Sequence, residues 1–177
     1  VHVGINAHLL SSAASYRSAG VSNYSRHLLT ALGQRVVDGS IPHRFTAFLH
    51  AADFAAAGVA MVRGSARLEQ PLLRIAWEQS ALPVALARLQ ADVVHGLVNV
   101  LPLATRRPGV VTVHDLSFLR LPELFPPYKL AYLTALCRAS VARANQIIAV
   151  SQQTADDLAL LWGVDRKRVH VAPNGVD

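Results

Sequence analysis

The 177-residue sequence predicts an open, doubly wound α/β sheet, mostly parallel, with helices on both faces. Three observations predict it. Short apolar runs alternate regularly with longer segments of helical periodicity. Several of those runs are apolar at consecutive positions, as in Val110-Val111-Thr112-Val113 and Ile147-Ile148-Ala149-Val150, so both faces of the strands must be covered. Apolar residues make up 52% of the chain, enough to bury a core and too many for a disordered polypeptide.

The elements follow in order. The chain opens on VHVGINAHLL, read as a strand from Val1 to Ala7, with no secretory signal and no initiator Met, which processing or a boundary would have removed. Val21, Tyr24, Leu28 and Leu32 then repeat at helical spacing. Strands follow at Arg44 to His50 and Val59 to Val62. A helix from about Leu72 to Leu89 is expected to bend or break at Pro83, which lacks the backbone donor. Asp92 to His95 and Val110 to His114 are strands, Tyr128 to Arg143 a helix, and Gln146 to Val150 a strand. Ser151 can cap a helix reaching Trp162, and Gly163 suits its stop. Val169 to Ala172 reads as a short buried strand, and Pro173-Asn174-Gly175 as a turn. There is no internal repeat, no low-complexity tract, no linker before Pro173 and no apolar run near the roughly 18 residues that cross a bilayer.

Charge narrows the partners. Lys and Arg total 17 against 11 acidic residues, a net charge of +6. Arginines scattered singly account for nearly all of it, and Arg166-Lys167-Arg168 is the only dense cluster. No aromatic-interleaved basic patch of the kind that grips single strands is present, so phosphorylated small molecules or an anionic membrane surface are favoured over nucleic acid. The lone Cys137 cannot form an internal disulfide, which points to a reducing compartment, the cytoplasm. On a helix with Leu133 and Leu136 it reads as a core thiol.

Open α/β sheets bind ligands beyond the carboxyl ends of their strands, and three loops stand out there. The first, Ser15 to Tyr24, delivers Gly20 just before a helix, where backbone N–H groups can approach a diphosphate; as a lone glycine it is equally ordinary loop geometry. It is neither a P-loop nor G-x-G-x-x-G. The second reads VTVHDLSFLRLPELFPP and places His114 and Asp115 at a strand end, suited to proton transfer near neutrality or to a pair that pins the loop. The third is Val94-His95-Gly96-Leu97-Val98-Asn99, where His95 either meets a polar acceptor or is satisfied internally. No His, Cys or carboxylate spacing suggests a metal, and neither G-x-S-x-G nor D-x-D occurs.

GVVTVHDLSFLRLPELFP, ARANQIIAVSQQTADDLALLWGVDRKRVHVAPNGVD and NAHLL…AGVSNYSRHLLTAL together resemble the first half of a family 4 glycosyltransferase with the GT-B fold, over nearly the whole chain. The resemblance implies that residues 1–177 form one Rossmann-like, acceptor-side N-terminal domain, and that a C-terminal domain binding the nucleotide sugar would follow the APNGVD turn. It implies transfer of a sugar, mannose or a similar hexose, from a nucleotide sugar to a glycan or lipid-linked acceptor. Such transfer proceeds with retention, without a metal or other cofactor, by a front-face path in which the leaving phosphate helps take the acceptor's proton. It implies that His114 lies beside the transferred sugar with Asp115 shaping its loop, that Gly20 and Val21 offer backbone contacts to the donor diphosphate, and that Asn6, His8, His95 and Asn99 face the acceptor. Many members carry two adjacent glycines where this chain has Ala19-Gly20. The chain alone is then expected to be inactive, in the cytoplasm or peripheral at the inner membrane face. The alternatives are a stand-alone Rossmann-like ligand-binding module, which would need a complete phosphate fingerprint, and a noncatalytic membrane-surface domain.

Overall fold

Alternating strand and helix signals of this strength leave little freedom locally, and the computed structural model describes residues 1–10, 19–50 and 53–175 as a Rossmann-like α/β fold. All seven strands read from the sequence are present, each within two residues of its expected ends: β1 (His2–Asn6), β2 (Arg44–Leu49), β3 (Val59–Arg63), β4 (Val93–Gly96), β5 (Gly109–Val113), β6 (Gln146–Ala149) and β7 (Val169–Val171). The helices are α1 (Ala19–Val37), α2 (Pro71–Arg88), the short α3 (Ser117–Arg120), α4 (Pro127–Arg143) and α5 (Gln152–Trp162).

Two compact units divide the chain: residues Val1–His95 with Ala104–Pro108, and Gly96–Leu103 with Gly109–Asp177. In the first, the strand order is β3-β2-β1-β4. β1 runs parallel to β2 with His2 opposite Arg44 and Asn6 opposite Phe48, and β2 runs parallel to β3. Phe45 through Leu49 are all buried, so alternate side chains are covered on both faces of β2. Glu78, Leu82 and Leu86 form the buried stripe of α2 at i, i+4, i+8.

In the second unit the order is β5-β6-β7, both pairs parallel, with Val111 opposite Ile147 and Ile147 opposite Val169. Val111, Val113, Ile147, Ala149 and Leu158 are fully buried and make its core with Cys137 and Val141. Ser151 caps α5 as expected, its Oγ accepting the Thr154 N–H at 3.1 Å, and Gly163 ends the helix in the left-handed region at φ 66°.

Two expectations change. α2 is not interrupted at Pro83 but continues to Arg88. The proline removes one intrahelical bond and crowds the preceding turn, at about 3 kcal/mol, which the packing of the buried stripe outweighs. β7 is not buried: Val171 is 41% exposed, because β7 pairs with β6 alone at the end of the strand order. Two arginines of the basic cluster have partners. Arg168 donates through Nη2 to the carbonyls of Val141 (2.7 Å) and Ala144, neutralising the C-terminal end of α4, and Arg166 pairs with Asp156 at 2.7 Å. Among the described residues no helix is long and apolar enough to cross a membrane.

Candidate active site

The second unit builds its site from two turns that meet at one histidine. β5 ends at Val113, so His114 and Asp115 emerge at its carboxyl end. From Gly96 the neighbouring segment turns sharply: the Val100 N–H donates to Val98 O at 2.6 Å, and Asn99 adopts φ 54°, a region asparagine tolerates better than most residues. A Cβ on Gly96 would lie 2.1 Å from Val100 O, so the turn needs glycine there. The Asn99 N–H donates to Thr112 O at 2.8 Å, anchoring the turn to β5.

This turn then holds His114. Asn99 Oδ1 accepts the His114 backbone N–H at 3.1 Å, and His114 Nε2 lies 2.9 Å from Leu97 O. A carbonyl oxygen only accepts, so the bond assigns a proton to Nε2 and, in the neutral ring, the lone pair to Nδ1. Thr154 Oγ1 on α5 donates to the His114 carbonyl at 3.1 Å. Asp115 is exposed, and its Oδ1 accepts the N–H and the hydroxyl of Ser117. That is an Asx-type turn starting α3, a loop-shaping contact. Beneath the loop, Leu116 and Phe118 are buried, and burial pushes the Cys137 thiol up to about 12, with the Asp115 charge adding to it. Cys137 is thus an inert core thiol.

Of the residues expected at the site, Asn99, His114 and Asp115 come together in this unit. The others lie in the first unit. Asn6, the last residue of β1, donates through Nδ2 to Glu78 Oε1 at 3.1 Å, and its Oδ1 accepts the His8 N–H at 3.4 Å. Burial raises the Glu78 carboxyl, against which the Asn6 bond and the Arg74 charge act. His8 is 1% exposed, in edge-on contact with Trp77 at 4.3 Å and stacked on His50 at 6.1 Å. Desolvation, then the charges of His50 and Arg74, lower its ring to about 4. Neither of its ring nitrogens meets a hydrogen-bond partner among the described residues. His95 sits inside β4 rather than beyond it, half-buried, and desolvation lowers it to about 4. Gly20 and Val21 occupy the first turn of α1, Gly20 exposed and Val21 half-buried; residues 15–18 of that loop lie outside the described residues. Among the described residues no three His, Cys, Asp or Glu side chains could hold a metal ion.

A profile of Glycosyltransferase Family 4 matches residues 18–177. The chain belongs to glycosyltransferase family 4. No curated protein sequence matches it. Among solved structures, this family 4 chain is similar to a lipopolysaccharide outer core galactosyltransferase WaaB in its apo form, with a TM-score of 0.58 and 10% identity, covering 99% of this chain and 46% of that one. It is similar also to a sucrose-phosphate synthase from Thermosynechococcus elongatus, with a TM-score of 0.57 and 11% identity, covering 100% of this chain and 91% of that one. At such identity the likeness is one of fold. The chain spans just under half the length of the galactosyltransferase it matches.

Sequence reasoning about this family 4 chain missed Leu97 O, Thr154, Glu78 and Trp77. Leu97 acts through its backbone and leaves no side-chain signal. Thr154 was legible only as the third residue after a cap. Glu78 did carry a signal, an acidic residue in register with Leu82 and Leu86 on the buried face of α2.

Proposed function

We propose that this chain is the acceptor-side half of a nucleotide-sugar-dependent glycosyltransferase, transferring a hexose such as mannose with retention to a glycan or lipid-linked acceptor. The carrying observation is His114: at the carboxyl end of β5, its backbone N–H, backbone carbonyl and ring Nε2 are each hydrogen-bonded to a different group. A side chain held this firmly costs no reorganisation when charge develops beside it, which is what electrostatic stabilisation of a transferring sugar requires. Asp115, committed to Ser117, shapes the loop. A diphosphate at the N-terminus of α1 is supported by Gly20, where a Cβ meets nothing within 4 Å among the described residues.

A second domain that grips the nucleotide sugar, following residue 177, belongs to this reading, as does a cytoplasmic location. A lipid-linked acceptor is supported by α2, whose exposed Val84 (50%) joins Trp77, Ala81 and Ala85 in an apolar groove of about 560 Å³ that Arg88 also lines. Flotation with anionic and with neutral liposomes tests that association, and equal absence from both removes it. The transferase reading is tested by calorimetry and assay with a panel of nucleoside diphosphate hexoses. The complete enzyme should turn over at least one of them with retained anomeric configuration, while the isolated chain binds them weakly. Tight, base-specific binding to the isolated chain would favour a stand-alone ligand-binding module instead.

A further inference from the structure

Contacts inside the His114 loop give it shape but do not fix it in space. The Asx turn of Asp115 and Ser117 closes on itself, whereas polar attachments out of the loop run to α5 and to the turn at Leu97 and Asn99. Resting on the reading of His114 given above, we propose that one face of α5 positions the loop from both of its ends, with Thr154 and Asp157 as the positioning residues.

Thr154 and Asp157 stand three apart, hence neighbours on the helix surface, and both are buried, at 4% and 6% exposure. Thr154 holds the loop's first residue through the bond from its Oγ1 to His114 O. That hydroxyl is itself oriented. Ser151 Oγ accepts the Thr154 N–H at 3.1 Å and lies 2.9 Å from Thr154 Oγ1. Because Thr154 Oγ1 donates to His114, the Ser151 hydroxyl supplies the proton of the 2.9 Å contact, and the cap of α5 and the brace of His114 form one chain of bonds. One turn on, Asp157 holds the loop's far end. Its carboxylate accepts from Arg120 Nη2 and from Nε at 3.4 Å, and Gln153 Nε2 donates to it at 2.8 Å. The fork geometry resists rotation as well as separation. The Arg120 bond holds the Asp157 carboxyl below its ordinary range, against burial. A further turn along, Trp162 meets Phe118 of the same loop at 6.4 Å between ring centroids. His114, Phe118 and Arg120, spread along the segment 114–120, thus each meet α5.

A purely structural role would place these contacts in the service of stability alone. The β5–β6 backbone pairing, however, involves neither side chain, and Thr154→Val keeps the buried volume of Thr154 while removing its hydroxyl. Removing the hydroxyl of Thr154 should therefore free His114 before it unfolds the domain.

The test uses the full-length protein with ¹⁵N-labelled histidine, without substrate. The ring signals of His114 are assigned by their loss in His114→Ala, and those of exposed His27 and His170 serve as internal references. Thr154→Val and, separately, Asp157→Asn should move or broaden the His114 ring nitrogens and weaken their single-tautomer signature while the references stay in place. Thr154→Ser should restore it. Asp157→Asn keeps the side-chain shape and provides the test if Thr154→Val does not fold. Unmoved His114 signals in both variants, with only a lower melting temperature, would overturn the proposal. The catalytic reading of His114 is decided elsewhere, by turnover of His114→Ala, so the two can fail independently.

Discussion

His114 Nε2 stands 2.9 Å from the carbonyl oxygen of Leu97, seventeen residues earlier in the chain. The contact decides which nitrogen carries the proton, and it makes the turn beginning at Gly96 part of the histidine's setting. A ring fixed in this way contributes to chemistry through position, so its loss should appear in turnover more than in stability. His114→Ala in the complete enzyme should lower kcat by roughly two to four powers of ten, with a smaller change in KM. Asp115→Asn should cost less, since the amide oxygen can still accept the Ser117 N–H. Steady-state kinetics beside a melting curve check this; an unchanged kcat with a depressed melting point would take His114 out of the active site.

Gly96 offers a test of the same setting from the backbone side. A Cβ there would sit 2.1 Å from Val100 O and 3.1 Å from Leu101 Cδ2. The first of these is backbone and cannot swing aside. Gly96→Ala should destabilise the domain by about 2 kcal/mol or more, in the range of other steric insertions at tight backbone approaches. Urea denaturation measures it, and a loss below a few tenths of a kcal/mol would mean the turn has slack.

Gly20 should behave in the opposite way. It is exposed in the first turn of α1, takes no positive φ, and has open space around its missing Cβ. The fold does not ask for glycine at this position. Gly20→Val should shift stability by less than about 1 kcal/mol and still impair transfer by the complete enzyme, because an approaching donor phosphate would meet the new side chain, which no described residue does. Equal falls in melting temperature and activity would show the glycine to be structural.

Stability should weaken on mild acidification because of His8 and His95. Both rings are lowered to about 4, mainly by desolvation. Between that value and the ordinary 6.5 the unfolded chain binds protons that the folded chain refuses, so stability falls as pH drops through this window. The loss is up to about 3 kcal/mol per ring. His50 and Arg74 act on the His8 ring, and His50 is lowered too and adds in the same direction, whereas Glu78, raised by burial, opposes it. Asp157, held low by Arg120, acts only at more acid pH. Chemical denaturation at pH 7 and pH 4.5 should differ accordingly, and His8→Gln should narrow the gap. An identical gap in that variant would locate the titration elsewhere.

The sequence by itself determined what is local. Strand and helix positions follow from periodicity and turn chemistry, and Ser151 and Gly163 bound α5 because capping depends on residues three or four apart. The same holds for His114 and Asp115, placed at a strand end by the apolar run before them. Only the tertiary structure decided what meets them. Leu97 O, Asn99 and Thr154 reach His114 across 17, 15 and 40 residues, and Asn6 finds Glu78 across 72. No periodicity encodes such pairs, because they depend on how the strands order in each unit and on the path of the turns between them. Pro83 and Val171 make the same point from the side of error. Local propensity argued for a helix bent or broken at Pro83 and an apolar run for a buried strand, but a packed stripe kept α2 unbroken, and a strand with one neighbour stayed open. Propensities of a few kcal/mol act within a turn of helix, whereas burial sums over every contact the whole fold brings together.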